Sequence, residues 1–163
     1  MSPSDLHPDV TPLAFLLGRW AGPGRGEYPT IESFGYVEEV TFGYVAGKPF
    51  LVYGQRTRHA TDGRPLHAES GYWRCVGGGA VEVVLAHPTG IAEVLEGSLE
   101  GQRIALASSA LTRTATAKVV TATRRVFELE GDVLRYRVAM AAVGVELTHH
   151  LSAELARQEG PGS

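Results

Sequence analysis

Short segments in which apolar and polar residues alternate, separated by glycines, make up most of this chain. Val81-Glu82-Val83-Val84-Leu85-Ala86, Arg103-Ile104-Ala105-Leu106-Ala107, Val126-Phe127-Glu128-Leu129-Glu130 and Val133-Leu134-Arg135-Tyr136-Arg137-Val138 carry β-branched or aromatic residues in partial period-two order. Gly47, Asp62-Gly63, Gly77-Gly78-Gly79, Gly97, Gly101, Gly131-Asp132 and Gly144 punctuate the sequence at short intervals. Strand-length runs joined by glycine turns predict an antiparallel meander, with about ten strands near 19–27, 34–45, 49–58, 67–75, 80–86, 90–97, 103–109, 116–129, 133–143 and 147–157. Such a meander must hide its edges, and closure does so most completely. About eight strands close around side chains or one small ligand, so more strands leave a cavity. The expected fold is all-β: a ten-stranded antiparallel up-and-down β-barrel with a short N-terminal helix.

That helix is Pro12-Leu13-Ala14-Phe15-Leu16-Leu17, with Thr11 as N-cap, Pro12 at the first position and Gly18 as its stop. It is placed to close one barrel end. Residues 1–9 and 159–163 read as tails, leaving 10–158 as one barrel domain. The last segment is ambiguous. Leu147, Leu151 and Leu155 recur every four residues, as on a helix, whereas a closing strand puts His150, Ser152 and Glu154 on one face. The pattern slightly favours the helix.

With 163 residues, 44% of them hydrophobic, the chain can bury one core and is too short for two ordinary domains. A net charge of −3 gives no support to phosphate-driven nucleic-acid binding. No apolar run approaches the roughly 18 residues a bilayer span needs, and the first residues lack the pattern of a secretory signal, so a cytoplasmic protein without a membrane partner is expected. Cys75 is the single cysteine and has no thiol to pair with.

Gly18-Arg19-Trp20-Ala21-Gly22-Pro23-Gly24 opens the strand region. Gly18, Gly22 and Gly24 let backbones approach closely, and Trp20 supplies a large apolar wall suited to plugging a barrel end. None of the six histidines forms a His-x-His or His-Glu-x-x-His signature, so a zinc hydrolase has no local mark. In His149-His150, adjacent strand residues point to opposite faces, so one imidazole enters the cavity and the other faces water. A lone imidazole in an apolar cavity suits the axial position of a haem iron. His67 lies where a turn enters a strand, with Glu69 on the same face to orient it. Glu38-Glu39 reads as one rim and one solvent-facing carboxylate. No Gly-x-Ser-x-Gly elbow accompanies Ser108-Ser109. Lys118, one of two lysines, suits a propionate at a barrel rim.

The opening motif continues into Gly26-Glu27-Tyr28-Pro29-Thr30. With Gly47-Lys48-Pro49-Phe50, Pro65-Leu66-His67-Ala68-Glu69-Ser70-Gly71-Tyr72, Ala86-His87-Pro88-Thr89-Gly90, Ala117-Lys118-Val119 and Leu147-Thr148-His149-His150-Leu151 it resembles the nitrobindins, above all their mycobacterial and actinobacterial members, from about residue 10 to 157. The resemblance implies a ten-stranded barrel holding one haem b per chain, nitric oxide binding, and isomerisation of peroxynitrite to nitrate. It places the iron ligand and catalytic centre on His150, with Thr30 and Lys118 at the haem or its propionates. His67, Met140 and Leu66 become pocket residues, Leu66 where some members carry methionine. It also implies a strand, not a helix, over 147–157. A one-residue slip of that strand would exchange His149 for His150. The implied pocket is largely apolar and lacks a strong acid-base pair, which suits a reaction without net proton transfer. Peroxynitrite and nitric oxide are the expected small-molecule partners, and the protein is expected as a monomer or homodimer. A lipocalin-like carrier of an apolar molecule and a haem-based nitric oxide sensor are the rival readings.

Overall fold

A computed structural model describes residues 5–159, so the parts of the expected tails at 1–4 and 160–163 lie outside the described residues. Ten strands run β1 Gly18–Tyr28, β2 Ile31–Tyr44, β3 Leu51–His59, β4 Pro65–Cys75, β5 Ala80–His87, β6 Ile91–Glu100, β7 Arg103–Arg113, β8 Val120–Glu130, β9 Val133–Ala142 and β10 Val145–Gln158. Each pairs antiparallel with its sequence neighbours, and β1 pairs with β10, so the sheet closes without an edge. The meander and its closure are as the alternation predicts. The leucine spacing over 147–157 is overridden: with β1 and β9 both waiting for a partner, a strand here satisfies two backbone ladders that a helix would leave open.

An up-and-down barrel sorts its connections to two ends. The β1–β2, β3–β4, β5–β6, β7–β8 and β9–β10 turns share one end, and the remaining turns share the other. A 3₁₀ helix, Pro8–Leu16, seals the second end. It starts four residues before the expected Pro12. His7 is its N-cap, accepting from the Asp9 amide through Nδ1, and Pro8 takes the first turn. Pro12 lies inside and removes a donor, and bonds such as Val10 N to His7 O and Leu17 N to Ala14 O close three-residue turns. Before the helix, Leu6 packs on the core and the Asp5 carbonyl accepts from Gly47 N.

Val10, Leu13 and Leu16 bury completely against Trp20. The indole donates to the Leu16 carbonyl at 2.8 Å, and the Arg157 guanidinium stacks over its ring at 4.2 Å. Arg157 also donates to the Leu17 and Phe15 carbonyls. Trp20 is thus the plug of the sealed end. Above it, edge-to-face contacts of Trp73 with Phe42 and Phe127 fill the barrel width, and Tyr136 stacks on Phe127.

The glycines of β1 serve this interior. A Cβ on Gly24 would lie 2.3 Å from the Tyr36 ring, and one on Gly26 would lie 2.3 Å from Phe34. The missing side chains let both aromatic rings cross inside the barrel. Gly24→Ala is therefore expected to cost about 1–3 kcal/mol in urea unfolding, through displacement of Tyr36. Gly43→Ala, where an added Cβ meets nothing within 4 Å, should be neutral or slightly stabilising. Equal effects at the two positions would refute this account of the Gly24 cradle.

Candidate functional site

The unsealed end opens into a cavity of about 670 Å³, in the range of small-molecule and cofactor sites. Thr30, Leu66, His67, Lys118, Met140 and His150 all line it, so every pocket residue singled out in the sequence comes to one space. Thr30 lies on the β1–β2 turn. Lys118 lies on the 114–119 loop rather than on a strand, because β8 starts at Val120, not near 116. Ile31, Leu66 and Val143 give the mouth exposed apolar side chains, 49%, 38% and 47% accessible.

A β-bulge decides which histidine enters. In β10, His149 pairs with Ala139 and Leu151 with Val138, leaving His150 as an extra residue opposite no partner. Val138, Met140, His150 and Leu151 line the cavity, whereas His149 is 41% exposed, with Nε2 3.8 Å from Glu27 Oε1. Without the bulge, the alternation running back from Leu151 would turn His149 inward and His150 out. The face expected for His150, Ser152 and Glu154 therefore does not exist: the bulge breaks the alternation, and Glu154 points to solvent at 64% exposure.

His150 Nδ1 is 3.0 Å from the Glu27 carbonyl. A carbonyl only accepts, so Nδ1 carries the proton and Nε2 keeps the free lone pair. The Tyr28 ring meets the imidazole edge-on at 5.2 Å. The Tyr28 hydroxyl bridges β9, donating to Met140 O at 3.0 Å and accepting from Ala142 N at 3.0 Å. Burial lowers the His150 pKa against the upward pull of the Glu27 carbonyl, with His149 and His67 adding to the depression, so the neutral form is favoured.

The rest of the barrel interior departs from the expected apolar pocket. Glu38, Gln55, Glu69, Glu93, Thr123 and Arg125 are all buried there. Arg125 donates to Glu69 Oε1 at 2.5 Å and Oε2 at 3.1 Å, and to Glu93 Oε1 at 2.9 Å. The Tyr53 hydroxyl donates to Glu69 Oε1 at 2.8 Å, and Thr123 donates to Glu93. Burial alone would raise the pKa of Glu69, but Arg125 and the His67 hydrogen bond hold it well below the carboxylate range. Glu93 is likewise lowered, against burial, by His87 and Arg125. Both are ionised partners of a buried cation.

Glu38 is the exception and is not at the rim. It is 1% exposed inside the barrel, and burial pushes its pKa to about 8, against the lowering by hydrogen bonds from Tyr136 and Gln55. Its neighbour Glu39 does face solvent, paired with Arg56 at 2.7 Å. A folded pKa above the ordinary value means stability that is complete below about pH 4.5 and lost as pH rises through 8. Unfolding free energies from urea denaturation at pH 5 to 9 should therefore fall more in the native protein than in Glu38→Gln, by on the order of 3–5 kcal/mol. Parallel profiles would refute a neutral buried Glu38.

His87, Glu93, Arg125 and Tyr28 were not identified as site residues from sequence. Strand parity carries a signal for three of them. Glu93 shares a face with Leu95, Arg125 with Phe127, and His87 with Leu85, all buried positions.

Comparison with known proteins bears on the whole barrel. A family description, the THAP4-like, heme-binding beta-barrel domain, matches residues 9–157. Peroxynitrite isomerase 2 of Mycobacterium ulcerans is 54% identical over 160 residues, covering 96% of this chain and 99% of that protein. Peroxynitrite isomerase of Nocardia farcinica is 54% identical over 156 residues, covering 93% and 92%. The crystal structure of Rv2717c from M. tuberculosis is 49% identical and covers 95% of this chain and 100% of its own, with a TM-score of 0.88.

Proposed function

Since the chain belongs to the THAP4-like haem-binding β-barrel family, the nitrobindins, we propose that its cavity holds one haem b through His150 and isomerises peroxynitrite to nitrate. The observation that carries this reading is the tautomer of His150. Its Nδ1–H is committed to the Glu27 carbonyl, the arrangement by which proteins orient a metal-ligating imidazole, and Nε2 remains as the donor of a residue on the cavity wall. The other residues fit the same group. Lys118 and Thr30 stand at the mouth as partners for propionates, and Met140, Val138, Leu151 and Leu66 offer apolar contact to a macrocycle. Haem held there by His150 would supply a ferric iron able to bind peroxynitrite or nitric oxide. His67 lines the same cavity from β4. We read residues 10–158 as the haem domain, acting in the cytoplasm as a monomer or homodimer. No helix among the described residues is long and apolar enough to cross a membrane.

Stopped-flow mixing of the hemin-reconstituted protein with peroxynitrite tests the reading. Decay should accelerate in proportion to haem-loaded protein, with nitrate replacing nitrite among the products. Haem-free protein should give the uncatalysed rate. Catalysis independent of haem loading would overturn it.

A further inference from the structure

Facing His150 across the barrel, a second set of ligands converges. β10 and β5 stand five places apart in the ring of ten strands, so His87 on β5 and its neighbours on β4 occupy the wall opposite His150. There His67 Nε2, His87 Nδ1 and Glu69 Oε2 form a triangle with sides of 3.2, 3.4 and 3.5 Å, on three residues that line the cavity. We propose that His67, Glu69 and His87 bind a divalent, zinc-like cation in tetrahedral geometry, with its fourth position open to the cavity for water or a small anion.

The spacing is the first argument. Bonds of about 2.0–2.1 Å to nitrogen and carboxylate oxygen place tetrahedral ligand atoms roughly 3.3–3.4 Å apart, the mean of the triangle observed. Octahedral neighbours at the same bond length would stand closer, at about 2.9 Å. Two histidines, one carboxylate and an open position form a donor set suited to zinc sites that take a further ligand.

The surroundings supply what such a site needs. His87 Nε2 is 3.0 Å from Glu93 Oε1, so Nε2–H donates to the carboxylate and Nδ1 keeps its lone pair toward the triangle. This is the outer support that fixes a metal-binding imidazole. Glu69 Oε1 is engaged by Tyr53 and Arg125, which leaves Oε2 turned to the two imidazoles, with Arg125 Nη2 occupying one of its sides. Without a cation His67 Nε2–H points at His87 Nδ1; on binding, His67 moves this proton to Nδ1, its Nε2 lone pair turns to the cation, and both imidazoles stay neutral. Charge agrees as well. Glu69, Glu93 and Arg125 together carry one negative charge, so a dication leaves the cluster with one positive charge beside its open position, which favours an anion.

The proposal stands on these side chains and not on the haem reading, so its test runs with and without haem. The full-length chain, haem-free and hemin-loaded, is titrated with Co²⁺ and then Zn²⁺. One equivalent of cobalt is expected, giving the strong visible bands of four-coordinate Co²⁺, and zinc should displace it. His67→Ala and His87→Gln should each weaken cobalt binding at least a hundredfold, and Glu93→Gln roughly tenfold. His149→Ala and His150→Ala should leave it within twofold. Weak six-coordinate bands overturn the proposal, as does full affinity in His87→Gln with an unchanged circular dichroism spectrum. Cobalt binding that follows the exposed histidines instead overturns it equally.

Discussion

His150→Ala is expected to abolish the Soret band of hemin-reconstituted protein, whereas His149→Ala leaves it intact. The bulge presents one imidazole to the cavity and holds the other in solvent beside Glu27, so the two substitutions are chemically equal and positionally opposite. Loss of outer partners of a metal ligand alone costs about 10–100-fold in affinity, so loss of the ligand itself should exceed roughly a hundredfold. Added imidazole should restore part of the band in His150→Ala, because the cavity left on β10 opens to the mouth. Tyr28→Phe should fall between these outcomes. It keeps the ring edge against His150 but removes the hydroxyl that ties β1 to Met140 and Ala142 beside the bulge. A Soret band that survives in His150→Ala and disappears in His149→Ala would sink the assignment.

Arg125→Met should destabilise the barrel more than any other single change considered. The guanidinium is the shared cation of Glu69 and Glu93, and their mutual attraction outweighs burial and holds its pKa up. Methionine of similar length keeps the packing and leaves two buried carboxylates facing each other, a change worth about 3–5 kcal/mol. At about 2–4 °C per kcal/mol for a chain of this size, the melting temperature should fall by on the order of 10 °C. Neutralising the carboxylates as well, in Arg125→Met/Glu69→Gln/Glu93→Gln, should recover most of the loss, because paired removal of buried charge is far milder than removal of one partner. A triple variant as unstable as the single one would show that Arg125 acts through packing alone.

Alternation and glycine spacing made the number, order and antiparallel pairing of the strands legible, since each is a local property. The helix was legible in kind but not in place. Pro12 looks like a first-turn proline, and only the structure shows Pro8 in that role, with His7 as cap. Thr30, Leu66, His67, Lys118, Met140 and His150 were drawn together by family resemblance, and all six line the cavity. The bulge was not legible, because an unpaired residue leaves no mark in hydrophobic order, and it overrules the face expected for Ser152 and Glu154. The polar wall was missed for a different reason. Glu38 beside Glu39 looks like surface until parity is followed through Tyr36, Val40 and Phe42, all buried on one face, which forces Glu38 inward. Alternation identifies faces, but a charged residue on an inner face appears only when its neighbours are read with it.

The pairing of Arg19 with Gln158 brings both ends of the barrel sequence together at the sealed end, as far as the fold allows from Thr30, Lys118 and Val143 at the mouth. A polypeptide joined ahead of the sealing helix or after Gln158 is attached at the blind pole, away from the entrance. A fusion partner, a tether or a surface anchor can thus be attached at either side without obstructing the passage of small molecules, which makes the barrel a modular cartridge with its working face held outward.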